Sequence, residues 1–138
     1  MTKLLVFDAW ALLAFVQNES PADLRVLEVL EQAKLGKVHA AISIINLGEI
    51  YYRIGKLHGE RAADDTLADL RLLPVDIMPS DEQIVLAAAR LKMKYLISYA
   101  GAFALAVTEA SKAILLTGDP ELIALAGHFN IEQLQRGK

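Results

Sequence analysis

In the stretch KLLVF at residues 3–7, every position after Lys3 is apolar, and the run is followed at once by Asp8. A strand with one wet face would alternate polar and apolar residues. An uninterrupted run this short reads instead as a strand covered on both sides. A helical segment, AWALLAFVQN, comes next, and the same rhythm recurs along the chain. VHAAIS precedes IINLGEIYYRIGKL, PVDIM precedes SDEQIVLAAARLKMKY, AILLT precedes PELIALAG, and a last strand is expected near FNIEQL. Strands that alternate with helices build βαβ units, so a parallel sheet with helices on both faces is expected.

Local punctuation supports these divisions. Ser20 reads as the N-cap of a helix with Pro21 in its first turn and Gly36 at its exit. Ser43 is placed to cap the helix after VHAAIS, and Ser80 with Gln83 has capping-box spacing. Pro74 suits the start of an edge strand. The 138 residues are 54% hydrophobic, with a mean hydropathy of +0.34, enough for one packed core. The N-terminal run LLVFDAWALLAFV is broken by Asp8 and lacks a small-residue cleavage site. No apolar run nears the roughly 20 residues a bilayer requires. With no cysteine for disulfides or zinc thiolates, a cytoplasmic location is expected, with no membrane partner. A formal charge of −3 provides no overall basic field for nucleic acid.

Chemistry in open parallel sheets collects beyond the carboxyl ends of the strands. Asp8 and Asp119 each stand there, and each also reads as an ordinary N-cap, before Ala9 and Pro120. Glu49 lies among Ile45, Leu47, Ile50 and Ile54, with Arg53 four residues on as its ordinary partner. If Glu49 faces inward, desolvation demands a cation or hydrogen bonds. Carboxylates gathered at the sheet edge suit Mg²⁺ or Mn²⁺, which can activate water and offset charge on a phosphate. The segment SYAGAFALAVTEA poses a separate question. Gly101 in an early helical turn costs about 1 kcal/mol relative to alanine.

Three segments, LLVFDAWALLAF, AISIINLGEIYYRIGK and LISYAGAFALAVTEASKAILLTGDPEL, resemble the PIN-domain ribonucleases, in particular VapC-like toxins of type II toxin–antitoxin pairs. The likeness runs in order from Leu4 to about Phe129. It implies one PIN domain over residues 1–138, a three-layer α/β/α fold around a central parallel sheet of four to five strands. It also implies an endoribonuclease with Mg²⁺ (or Mn²⁺) in an acidic pocket. By position, Asp8, Glu49 and Asp119 match catalytic and metal-binding acids of the family, and the three would meet closely in space. The remaining acid of the family falls where Gly101 stands. The resemblance therefore implies a ribonuclease that is weakened or inactive at this degenerate position.

Other residues take supporting roles in this reading. Ser43 and Thr117 could orient carboxylates, and Glu121 could approach the pocket, though it also reads as a first-turn acid. Glu109, about 12 Å along its helix from Gly101, is too far. Arg53 and Lys56 are weak candidates for RNA phosphates, whereas RLKMK reads as a solvated helix end. Trp10 stands where many relatives carry Ser or Thr, and reads as a buried first-helix tryptophan. The resemblance further implies a cognate antitoxin, an RNA substrate and a homodimer. A second reading is a PIN module that binds antitoxin or RNA without cutting. An aspartyl-phosphate enzyme is disfavoured, because Trp10 occupies the position where a haloacid-dehalogenase-type phosphotransferase needs its second Asp.

Overall fold

β1 (Lys3–Phe7) shows why an unbroken apolar run is needed at the centre of the sheet. Leu5 and Phe7 point into one buried cluster, and Val6 between them points into another on the opposite face. β2 (Val38–Ser43) and β4 (Ile114–Thr117) divide in the same way, Ile42 and Leu116 to the first cluster, Ala41 and Leu115 to the second. The computed structural model describes residues 2–137. Its five strands are ordered β3-β2-β1-β4-β5 and all pair in parallel, with β3 (Asp76–Met78) and β5 (Ile131–Gln133) at the edges. The expected parallel α/β sheet with both faces covered is found, at the upper end of the expected strand number.

On one face lie α1 (Ala9–Val16), α2 (Ala22–Lys34), α3 (Ile44–His58) and α4 (Glu60–Arg71). On the other lie α5 (Glu82–Lys94), α6 (Tyr99–Ala110) and the single turn α7 (Pro120–Ile123). Positions 101–108 of α6 are all buried, which explains its lack of polar periodicity. No described helix is long and apolar enough to cross a membrane.

Two caps differ from expectation. Ser20 does not cap α2, which starts at Ala22 without a side-chain cap. Instead the Ser20 carbonyl accepts from Gly137 N–H, and Pro21 bridges to Arg136, so this turn serves to fasten the C-terminal tail. The capping box at Ser80 and Gln83 is also not formed. Asp81 caps α5, accepting from Ile84 N–H at 3.0 Å, because the chain turns helical one residue later. Ser43 caps α3 as expected, accepting from Ile45 N–H at 3.1 Å.

Candidate active site

Because every strand is parallel, all carboxyl ends lie on one edge of the sheet. Asp8 leaves β1 there and Asp119 follows β4 by one residue beyond Gly118. α3 brings Glu49 to the same place, and the first turn of α6 brings Gly101. All four line one cavity of about 660 Å³.

Asp8 is fixed on both oxygens. Oδ1 accepts from Ala11 N–H at 2.9 Å, which caps α1, and Oδ2 accepts from the Thr117 hydroxyl. The same hydroxyl accepts from Asp119 N–H at 3.0 Å, so Thr117 ties the ends of β1 and β4 together through one oxygen. Asp119 in turn accepts from Glu121 N–H at 3.0 Å and caps α7. The helix-cap readings of both aspartates therefore hold alongside their place at the cavity.

Asp8 is only 4% exposed. Burial raises its pKa, the hydrogen bonds from Thr117 and Ala11 oppose that rise, and the charges of Asp119 and Glu49 add to it. The result is about 7, against an ordinary 3.8. This carboxyl sits where negative charge is disfavoured, and a cation beside it would relieve that cost. Such a donor set fits a hard, oxygen-seeking divalent ion.

The acids are not, however, gathered as tightly as the sequence suggested. Among the described residues no three acidic or histidine side chains are clustered as a ready-made metal site. Glu49 is drawn to Arg53, whose NH2 lies 3.1 Å from Oε2, the i,i+4 pair legible in the sequence. Its side chain is 15% exposed, so the carboxylate stands at the wall of the cavity while Asp8 lies in its floor.

The remaining sequence candidates divide. Arg53 and Lys56 line the cavity. Ser43 and Glu121 are not among its lining residues: the first serves its helix, and the second is exposed and contributes its backbone N–H to Asp119. At Gly101 nothing in the backbone calls for glycine. A β-carbon there would meet Ser98 Oγ at 3.0 Å and the Leu122 methyls at 3.7 Å, so a side chain fits once that hydroxyl gives by a few tenths of an ångström. Gly118 is different, since any β-carbon would overlap the six-membered ring of Trp10. Trp10 packs against the core from its edge and is not fully buried, contrary to expectation. It is partly buried and lines the cavity.

Three contributors were missed in the sequence. Asn46 is buried one turn before Glu49. Its Nδ2 donates to Ala100 C=O at 3.0 Å, joining α3 to the turn that carries Gly101, and its Oδ1 has no partner among the described residues. An asparagine three residues before Glu49 in an apolar helix was the available signal. Ser98 caps α6 and accepts from Gly101 N–H at 2.9 Å. Arg136 reaches the cavity from the tail, more than a hundred residues from the strand and helix it approaches, and no local pattern announces it.

The sequence profile of the PIN domain matches residues 5–128. No curated protein is significantly similar to the chain. Among solved structures, VapBC2 from Rickettsia felis bound to a promoter DNA fragment superposes with a TM-score of 0.73 at 17% identity, covering 96% of this chain and 99% of that one. A toxin–antitoxin complex from Klebsiella pneumoniae gives 0.70 at 19% identity, with 96% and 99% covered. VapC20 from Mycobacterium tuberculosis, a sarcin–ricin loop cleaving toxin, gives 0.67 at 18% identity, with 91% and 95% covered. The profile match spans most of the sequence and the fold is shared with VapC-type toxins: the chain belongs to the PIN domain family.

Proposed function

We propose that this protein is a VapC-like endoribonuclease toxin that uses Mg²⁺ or Mn²⁺, acts in the cytoplasm, pairs with an antitoxin and is weakened at Gly101. The observation that carries this reading is Asp8, buried at the carboxyl edge of the sheet in a cavity it shares with Glu49 and Asp119. Asp8 and Asp119 would hold the ion, and Glu49 would join them on release from Arg53. A bound divalent ion supplies a water made acidic and a positive charge opposite the phosphate. The chain's own residues do the positioning. Thr117 fixes the orientation of Asp8 and the loop carrying Asp119 with one hydroxyl. Arg53, released from Glu49, is free to take a phosphate oxygen. Asn46 holds the start of α6 against α3, which sets the distance of position 101 from Glu49.

Glycine at 101 leaves that wall without a carboxylate, and fewer charges bind a divalent ion less tightly. Gly101→Asp is expected to raise Mg²⁺-dependent cleavage of single-stranded RNA by about a hundredfold, a fraction of the several kcal/mol such an ion supplies. Cleavage assays of both chains, with and without EDTA, test this; equal rates would refute it. The relatives of similar fold include toxin–antitoxin complexes, which supports an antitoxin partner here, and a homodimer is part of the same proposal. A second reading, a module that binds antitoxin or RNA without cutting, is favoured by the Glu49–Arg53 pair together with Gly101. It predicts that Gly101→Asp leaves RNA intact.

A further inference from the structure

The cavity has a basic rim above its acidic floor. Arg53 and Lys56 come from α3, and Arg136 comes from the C-terminal tail. Arg136 is held more specifically than its position near the chain end would suggest. Its backbone bridges to Pro21, its guanidinium lies 5.1 Å from the centre of the Trp10 ring, and its NH1 contacts Glu19 Oε1 at 3.1 Å. Trp10 is itself seated by Gly118, where a β-carbon would overlap the indole. Glu19 takes one hydrogen-bond donor out of five, and the Arg136 side chain remains 51% exposed.

An exposed ion pair of this kind adds little stability. A planar guanidinium laid on an aromatic ring at a cavity mouth, with donors to spare, is better suited to recognising a phosphate. With the chain carrying net negative charge, the backbone of a bound strand depends on local cations such as this one.

We propose that Arg136, seated on Trp10 and steadied by Glu19, is a phosphate-binding residue that takes the RNA backbone at the tail side of the cavity, separately from Arg53 and Lys56 on α3. This rests on the ribonuclease reading above, and it concerns binding rather than cutting. Trp10 is the chain's single tryptophan, so an occupied Arg136 site reports itself through indole emission.

The test is titration of the full chain with a fluorescein-labelled single-stranded RNA in EDTA, followed by anisotropy and by Trp10 emission across a salt series. The parent is expected to bind with a change in Trp10 emission. Arg136→Ala should weaken binding about tenfold and reduce the log–log salt slope by about 0.7, one phosphate contact on a single strand. Arg136→Lys should keep most of the slope. Glu19→Gln frees the guanidinium while keeping its charge, and should bind at least as tightly as the parent. If Arg136 only fastens the tail, Glu19→Gln and Arg136→Ala will lower the melting temperature and alter binding alike, which overturns the proposal. Parent-like affinity and slope in a folded Arg136→Ala protein also overturn it. If the parent itself binds no RNA, the ribonuclease reading falls and this inference with it.

Discussion

The floor and the rim of the cavity are built on different principles. The floor consists of Asp8 and Asp119, set at the ends of two central strands and joined from behind through the buried hydroxyl of Thr117. Each oxygen of Asp8 already accepts one hydrogen bond, which fixes the orientation of the carboxylate. The rim consists of Arg53 on Glu49 and Arg136 on Glu19, pairs whose guanidinium groups are half-exposed and screened by solvent. The floor therefore concentrates unfavourable charge in a fixed geometry, while the rim carries half-exposed cations with hydrogen-bond donors to spare.

The sharpest way to break this contrast is through Asp8. Its folded pKa of about 7 lies above the ordinary 3.8, so the folded state favours the protonated form. The sign follows directly: the associated stability is fully present below about pH 4 and is lost as pH rises through about 7. In cation-free buffer, stability should fall by up to about 4 kcal/mol across that window. Chemical denaturation at several pH values measures it, and Asp8→Asn should flatten the slope. A parent profile that is flat from pH 4 to 8 would show that the floor is not strained by charge.

A smaller effect is expected from Thr117→Val. It leaves Asp8 Oδ2 and Asp119 N–H without their shared partner, costs about 1–3 kcal/mol, and moves the Asp8 transition to higher pH because a bond favouring the carboxylate is gone. Thermal melts with the same pH series test both effects. Arg53→Ala should change stability least, within about 0.5 kcal/mol, since the i,i+4 pair it removes has a half-exposed guanidinium and leaves Glu49 facing the cavity. A loss of 2 kcal/mol or more would place Arg53 with the floor and erase the distinction.

Much of the fold was legible because burial on both faces leaves a plain mark, the unbroken apolar runs of β1 and β4. The acids were legible because a residue just past a strand has its location fixed by the strand. Where several cap residues stand side by side, as at Ser80 and Asp81, spacing alone cannot rank them, and the carboxylate took the role. Ser20 and Arg136 were opaque for another reason. Their partners lie more than a hundred residues away, and only the completed sheet brings the tail back to the start of α2. Trp10 misled because its neighbours in sequence are apolar, while its seat is made by an absence, the missing side chain of Gly118.

The capping pattern has an evolutionary consequence. Asp8 and Asp119 each begin a helix as well as facing the cavity, so drift at either position damages folding and chemistry together. Position 101 carries no such double duty, because Ser98 already secures the start of α6. The side chain at 101 can therefore change without loosening the helix that carries it.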